Sequence, residues 1–203
     1  MGEQEFSKKQ RRYLRFKRFL DIFISFFAII ILTPFLFLIA LLVICTSKGP
    51  IFFRQKRIGR YKIVFRILKF RTMRIDAPEI PPSNLTKEQQ RAMLTNLGAF
   101  LRKTSIDELP QIFNIFVGQM SLIGPRPAAA KNEDDIIVAR DQYLPNPNSL
   151  RPGLSGYAQT HGRNHEVKQK AELDAYYAKN ISFTLDVKIF FLTIKKIFFF
   201  EGS

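Results

Sequence analysis

The amino-acid sequence predicts an α+β protein that is mostly α-helical and is attached to a membrane. Three observations support this fold class: an N-terminal run of 24 residues without a charged side chain, a pair of short strand-like segments around one glycine, and repeated helix-start signals in the rest of the chain. The formal net charge of +15 over 203 residues indicates an anionic partner, which can be nucleic acid, anionic lipid or a phosphorylated substrate.

The chain divides into three parts. Residues 1–46 combine a basic N-terminus with the uncharged run, and residues 47–183 are assigned to one cytoplasmic domain. Residues 184–203 form a basic, phenylalanine-rich amphipathic helix, which suits the headgroup layer of a membrane, although packing on the domain core is the alternative. The single cysteine, Cys45, excludes an intrachain disulfide and cysteine-rich zinc sites.

The uncharged run, residues 22–45, would form a helix of about 36 Å, which is long enough to cross a hydrocarbon core of about 30 Å. Pro34, preceded by Thr33, stands at its midpoint, where a proline bends or breaks a helix. Both flanks of the run are basic, and basic flanks prefer the cytoplasmic side. We therefore expect a helix-break-helix that enters the membrane and returns to the same side. A kinked spanning helix is the alternative.

A small β element is predicted next, with strands at residues 51–55 and 61–69 on either side of Gly59. A capping-box pattern at residues 86–89 predicts a helix that runs to about residue 96, and Gly98 is expected to end it.

Two adjacent acids, Asp107 and Glu108, follow a short turn that contains Arg102. The spacing of Ser105 and Glu108 fits a capping box, which would place Asp107 at the second position of a helix. There the backbone N–H groups and the helix dipole would keep its carboxylate ionised near neutral pH. Such a carboxylate can attack phosphorus or bind Mg²⁺, and Glu108 can act as a base or second ligand. The alternative is that both acids only complement a helix end.

Several cations lie in the segments around these acids. Lys69 and Arg71 end a predicted strand, Arg102 precedes the acids, and Arg126 lies in a proline-rich loop. A guanidinium group matches the geometry of phosphate oxygens, although a single such cation is more often a solvated surface charge. Because the cations occur together with phenylalanine-rich ends, the sequence favours a phosphorylated lipid substrate.

Four motifs give the chain a resemblance to a known family. They are KFRTM at 69–73, SIDELPQ at 105–111, SLIGPRP at 121–127 and RPGLSG at 151–156. Together they closely resemble the bacterial monotopic phosphoglycosyl transferases, also called bacterial sugar transferases, from about residue 16 to about residue 196. The length of the chain is similar to that of the minimal members.

The resemblance implies that Asp107 is the nucleophile, that Asp107 and Glu108 form a catalytic dyad, and that Mg²⁺ is bound at Asp107. It implies attack on the β-phosphate of a UDP-sugar, release of UMP, and transfer of the phosphosugar to undecaprenyl phosphate at the cytoplasmic face of the bacterial inner membrane. It also implies a helix break, here at Thr33 and Pro34. The positions that it implies in or near the substrate site are Lys69, Arg71, Arg102, Arg126, Pro127, Arg163 and Asp174.

Two other functional classes are weighed against the transferase. The first is a membrane-tethered basic protein that binds anionic lipid or nucleic acid, but the aromatic residues are not interleaved with Arg and Lys as base-stacking platforms, so nucleic acid is not expected. The second is a non-catalytic scaffold in a glycan-assembly complex. The sequence identifies neither the sugar nor the glycan, and it leaves a homodimer open.

Overall fold

The computed structural model describes residues 6–77, 85–130, 134–162 and 166–198. Within these ranges the chain is mostly helical, as the sequence predicted, with two small sheets. The helices are α1 (Lys8–Thr46), α2 (Lys87–Ala92), α3 (Asn96–Lys103), α4 (Gln111–Phe116), α5 (Asp134–Asp141), α6 (Tyr157–Thr160), α7 (Val167–Asn180) and α8 (Phe183–Phe198). The strands are β1 (Phe52–Ile58), β2 (Val64–Phe70), β3 (Ser121–Ile123), β4 (Ala128–Ala129) and β5 (Gly153–Ser155).

Helix α1 is one continuous helix of 39 residues, where the sequence predicted two halves separated by a break. Pro34 lies inside it and lacks the N–H that would bond the carbonyl four residues earlier. The hydroxyl of Thr33 donates to the carbonyl of Ile29 at 2.6 Å, within the same turn. This bond goes to the carbonyl of Ile29 and not to that of Ile30, which is the carbonyl that Pro34 leaves without its backbone donor. Back-bonding of this kind often bends a helix without ending it. A continuous helix does not distinguish a re-entrant path from a spanning one, so the re-entrant path of α1 stays a prediction.

One face of α1 packs on the rest of the chain along the whole helix. Its buried residues have a spacing of three or four within each half of the helix, and they are Lys17, Asp21, Ser25, Leu36, Ile39 and Val43. The partly buried Ala28, Ile29 and Leu32 lie between the two groups. The other faces expose large apolar side chains such as Ile31 and Phe37, which are 73% and 71% exposed. Among the described residues α1 is the one helix long and apolar enough to cross a membrane, and only 17% of its most apolar 18-residue stretch is buried. These exposed faces fit contact with lipid.

The predicted β element is confirmed. Strands β1 and β2 form an antiparallel hairpin in which Phe52 pairs with Phe70 and Arg57 with Phe65. Strand β4 pairs antiparallel with the other edge of β1, and β3 and β5 form a separate parallel pair. The Phe65 side of the hairpin packs on α4 through a cluster that includes Ile112. This packing brings one face of β1 and β2 against the segment that contains the acidic pair.

The prediction that Gly98 ends a helix is wrong, because Gly98 lies inside α3. A Cβ atom at this position would lie 2.0 Å from the carbonyl oxygen of Thr72. The glycine is therefore required by the close approach of α3 to the chain after β2. The preceding helix, α2, begins with the predicted capping box at Thr86 but ends already at Ala92.

A helix, α8, covers the described part of the predicted C-terminal segment and has one buried and one exposed side. Residues 199–203 of that segment lie outside the described residues. Ile189 is fully buried, whereas Phe190 and Phe191 are more than half exposed. The carboxylate of Asp186 accepts hydrogen bonds from Tyr13 and Tyr177 at 2.6 and 2.7 Å. The helix thus packs on the core, as the alternative held, while its aromatic side remains exposed. Contact of that side with a membrane stays a prediction.

Candidate active site

The acidic pair lies on a 3₁₀ turn, Ile106–Glu108, between α3 and α4. The predicted capping box is wrong, because Ser105 has a left-handed backbone (φ 57°) and its side chain caps nothing. Pro110 is the N-cap of α4, so the α-helix begins only after the acids. The pair therefore does not occupy the first turn of an α-helix, and burial together with the charges of neighbouring side chains determines its electrostatics.

Asp107 is buried, with 6% of its surface exposed. Burial raises the pKa of Asp107 to about 6, and the charge of Glu108 adds to this effect, whereas Lys69 and Arg102 act in the opposite direction. At pH 7 roughly nine in ten molecules still have an ionised Asp107. The carboxylate is thus more basic than an ordinary aspartate and mostly available as an anion.

The pKa of Glu108 is shifted in the opposite direction, downward. Burial would raise the pKa of Glu108, but Lys69, Arg126 and Arg57 outweigh it and hold this pKa below its ordinary value. The ammonium of Lys69 donates to Oε1 of Glu108 at 2.5 Å. Glu108 is therefore an anion throughout the neutral range, next to a carboxylate whose affinity for a proton is higher.

The pair is chemically suited to Mg²⁺. Among the described residues there is no group of three or more His, Cys, Asp or Glu side chains that could hold a metal. Mg²⁺ is commonly bound through only one or two carboxylates, with phosphate oxygens and water completing its shell. Asp107 and the second oxygen of Glu108 fit this donor set, provided that a phosphorylated substrate supplies the remainder.

The loop with Arg126 and Pro127 is held in place by two arginines that sequence reasoning missed. Arg57 donates to the carbonyl of Pro127 at 3.2 Å, and Arg140 donates to the carbonyl of Arg126 at 3.0 Å. The Arg126 side chain is exposed, while Pro127 is buried. The main chain of the loop is thus fixed from two sides, and the Arg126 guanidinium is left accessible for an anion.

Asp174 is not an exposed ligand of a substrate but half of a buried ion pair. Its Oδ2 accepts from Nε and Nη2 of Arg140 at 2.9 and 2.6 Å, and 2% of its surface is exposed. Burial raises the pKa of Asp174, and Arg140 opposes that shift. Because Arg140 also binds the Arg126 carbonyl, Asp174 acts on the site through Arg140. The predicted place in the substrate site is corrected to a positioning role.

The remaining arginines that were predicted for the site have different surroundings where the structure describes them. Arg102 is exposed in the last turn of α3 and adds positive charge at Asp107. Arg71 is buried, and it donates to the carbonyl and hydroxyl oxygens of Ser47 at 2.8 and 2.6 Å, so it binds the C-terminal end of α1. Arg163 lies outside the described residues. The structure thus brings Lys69, Arg102 and Arg126 together with the acids, and it assigns Arg71 a structural contact.

The chain was compared with known proteins. A family model described as bacterial sugar transferase matches residues 12–200. The UDP-glucose:undecaprenyl-phosphate glucose-1-phosphate transferase of Klebsiella pneumoniae is 39% identical over 189 residues, which cover 90% of this chain and 40% of that protein. The exopolysaccharide production protein PSS of Rhizobium leguminosarum bv. phaseoli is 35% identical, with 88% of this chain and 92% of that protein covered.

The galactosyl transferase CpsE of Streptococcus agalactiae is 36% identical over 166 residues, with 76% of this chain and 36% of that protein covered. The chain therefore spans less than half the length of the Klebsiella and Streptococcus relatives and nearly all of the Rhizobium relative. The names of these relatives refer to more than one sugar.

Proposed function

The chain belongs to the bacterial sugar transferase family, and from this premise we propose that it transfers a sugar-1-phosphate from a UDP-sugar to undecaprenyl phosphate and releases UMP. The activity in the name of the Klebsiella relative, a UDP-glucose:undecaprenyl-phosphate glucose-1-phosphate transferase, supports this donor and this acceptor class. The observation that supports the chemistry most strongly is the placement of Asp107, a buried carboxylate with a raised pKa beside Lys69, Arg102 and an ionised Glu108.

In the first step an oxygen of Asp107 attacks the β-phosphorus of the UDP-sugar. A bond from phosphorus to the aspartate oxygen forms, and the bond from phosphorus to the bridging oxygen breaks. The electron pair leaves with UMP, and the phosphosugar stays on Asp107 as an acyl-phosphate. The raised pKa supports this role, since a more basic carboxylate is a better nucleophile and Asp107 is still mostly ionised at pH 7.

In the second step an oxygen of undecaprenyl phosphate attacks the same phosphorus. The bond from phosphorus to Asp107 breaks, which regenerates the carboxylate and gives the undecaprenyl diphosphate sugar. Arg102 and Arg126, both exposed beside the dyad, are suited to bind phosphate oxygens of the two substrates. Lys69 holds Glu108 by its 2.5 Å contact and keeps positive charge near the phosphoryl group.

Mg²⁺ is proposed as the cofactor, held by Asp107 and Glu108 together with substrate phosphate. When bound it would neutralise negative charge on the diphosphate and stabilise UMP as the leaving group. The residues of the chain would still define the orientation of the phosphoryl group through Arg126, whose main chain is fixed by Arg140.

The proposed location is the cytoplasmic face of the bacterial inner membrane. A re-entrant α1 would keep both basic flanks on that face, in agreement with the preference of basic residues for the cytoplasmic side. The dyad would then stand near the headgroups, where the phosphate of a polyprenyl acceptor lies and where a soluble UDP-sugar can still reach it. The exposed apolar faces of α1 and α8 support this attachment.

The test is a UMP-release assay with a panel of UDP-sugars, undecaprenyl phosphate and Mg²⁺. Asp107→Asn is expected to abolish both UMP release and transfer. The protein should stay folded, because burial already disfavours the charged form of Asp107 and the amide is neutral. Asp135→Asn, at an exposed acid of α5, is the matched control and should keep its activity. Normal turnover of Asp107→Asn would contradict the nucleophile, and salt-sensitive anion binding without UMP release would instead favour a tethered binding protein.

A further inference from the structure

A cleft of about 890 Å³ lies between the N-terminal part of α1 and the C-terminal end of α7. Eight of the side chains that line it are Lys or Arg, and its one acidic lining residue among the described parts of the chain is Asp21. None of the lining residues belongs to the dyad or to the cations that act on it. The cleft is therefore a second basic site, separate from the proposed chemistry.

The acids near the cleft are already engaged. Asp21 accepts a hydrogen bond from the backbone N–H of Leu122 at 3.0 Å. The ammonium of Lys17 donates to the carboxylate of Asp186 at 2.5 Å. The charge of Asp21 also acts on Arg18 and Arg151, which line the same cleft. Among the described residues, the eight cations that line the cleft thus outnumber the acids at the cleft.

Three arginines from different segments are fixed in the wall of the cleft by backbone carbonyls. Arg18 donates to the carbonyls of Ile115 and Phe116, Arg151 donates to that of Gly118 at 3.0 Å, and Arg60 donates to that of Ser149 at 2.9 Å. A neutral carbonyl orients the guanidinium groups of Arg18 and Arg151 but does not cancel their full charge.

The arginines also repel one another. Burial lowers the pKa of Arg151, and the neighbouring charges of Arg60 and Arg18 lower it further. Like charges that are held together in a partly enclosed space are typical of a site that binds an anion.

The position along α1 indicates the source of that anion. The α1 residues that line the cleft end at Asp21, directly before the uncharged run that begins at Ile22. Arg18 is four residues from Ile22, or about 6 Å along the helix, which is comparable to a headgroup layer about 5–8 Å thick. Phe16 and Phe19 are exposed on the same part of the helix. A membrane that covers the apolar faces of α1 would therefore place its phosphates at the cleft.

We propose that this cleft binds the headgroup of an anionic phospholipid, whose phosphate contacts Arg11, Arg15 and Arg18 from α1 and Arg60 and Arg151 from the domain. The volume suits a headgroup with its glycerol. A lipid held from both sides would join α1 to the domain at the membrane surface. This inference goes beyond the proposed transfer reaction and does not depend on it, because no residue of the dyad takes part.

The experiment measures thermal unfolding of the full chain in a neutral detergent during titration with dihexanoyl phosphatidylglycerol. Stabilisation is expected, and dihexanoyl phosphatidylcholine should not reproduce it. Arg11→Gln should weaken the apparent affinity about fivefold. Lys9→Gln, which removes the same charge two residues away on the exposed surface outside the cleft, should weaken it less than twofold.

Arg151→Gln is a second variant from the domain side, with the same expected loss of affinity. Because it also removes the bond to Gly118, its unfolding temperature without lipid serves as its own reference. Arg11 makes no side-chain hydrogen bond within the described structure, so Arg11→Gln should retain the unfolding temperature of the unmodified protein.

Three results would overturn the proposal. Equal weakening by Lys9→Gln and Arg11→Gln would indicate general attraction to a basic surface. If inorganic phosphate stabilised the protein against thermal unfolding as much as phosphatidylglycerol does, the cleft would be a phosphate site and not a lipid site. If undecaprenyl phosphate displaced phosphatidylglycerol and Arg11→Gln prevented this, the cleft would be a binding site for the acceptor and not for a phospholipid. The titration contains no UDP-sugar, so its failure is distinguishable from a failure of UMP release.

Discussion

At the scale of single residues, the two carboxylates of the dyad differ because their surroundings differ. Asp107 has the smaller exposed fraction of the two residues. Burial raises the pKa of Asp107, whereas Glu108 is next to Lys69 and within the field of Arg126 and Arg57, which together lower its pKa. Environments that separate the pKa values of neighbouring acids are typical of sites in which the two groups have different tasks. We assign the attack on phosphorus to the more basic one.

The raised pKa of Asp107 predicts how activity depends on pH. Its carboxylate must be ionised to attack, so kcat/KM should rise with pH through a midpoint near 6 and level off above it. Lys69→Gln removes a cation that favours the ionised form, so this midpoint should move upward. The measurement is the initial rate of UMP release between pH 5 and pH 9.

Lys56→Gln is the control for the pH profile, because Lys56 lies on the same hairpin as Lys69 but is not among the charges that act on Asp107. Its midpoint should equal that of the unmodified protein. A midpoint that stays constant in Lys69→Gln would contradict the electrostatic assignment of Lys69.

The sequence could predict the dyad and the cations of its own motifs, but not the contacts that hold them. Arg57 binds the carbonyl of Pro127, 70 residues away, and Arg140 binds Asp174, 34 residues away. Neither pairing leaves a local pattern. The family resemblance alone assigns Asp174 to the site, and no sequence pattern shows that this acid pairs with Arg140.

At the scale of elements, α1 has two roles on different faces. Its buried residues pack on the domain, and its exposed apolar residues are available to lipid. The sequence predicted a break at Pro34, whereas α1 continues through this residue. The hydroxyl of Thr33, which the sequence offers as a local partner, donates to the carbonyl of Ile29 within the turn. That bond is compatible with a helix that continues through Pro34.

Substitution of Gly98 tests the close packing of α3 against the chain after β2. Helix propensity alone would make Gly98→Ala stabilising, by about 1 kcal/mol. The Cβ would instead lie 2.0 Å from the Thr72 carbonyl oxygen, so we expect destabilisation by more than about 2 kcal/mol. The measurement is the midpoint of denaturant unfolding, monitored by circular dichroism.

Ala99→Gly is the matched comparison for Gly98→Ala, because it changes the neighbouring position of the same helix in the opposite sense. It should cost only about 1 kcal/mol. If Gly98→Ala proved the more stable of the two variants, α3 would not approach Thr72 as described. Sequence reasoning treated Gly98 as a helix end since a close backbone approach depends on tertiary packing.

At the scale of the whole molecule, the apolar and basic surfaces fit attachment to one side of a membrane. The net charge of +15 is concentrated in part near the ends of the uncharged run, which has basic residues on both sides. Lys9 and Lys48 lie outside the two ends of that run, and both are exposed. A re-entrant α1 places both on the cytoplasmic side, whereas a spanning α1 separates them.

Labelling of cysteines tests this topology directly. In a Cys45→Ser background, Lys9→Cys and Lys48→Cys should each resist a membrane-impermeant maleimide in intact spheroplasts and react after permeabilisation. Lys168→Cys, on the exposed surface of α7, is the control for the cytoplasmic domain. Labelling of either Lys9→Cys or Lys48→Cys from outside would contradict the re-entrant path.

The covalent intermediate is the most direct test of the proposed function. The protein is incubated with a UDP-sugar and Mg²⁺ without acceptor, then digested and examined by mass spectrometry. We predict a mass increase equal to one phosphosugar on the peptide that contains Asp107, its loss when undecaprenyl phosphate is added, and its absence in Asp107→Asn. Turnover without this adduct, or an adduct on another residue, would contradict the account.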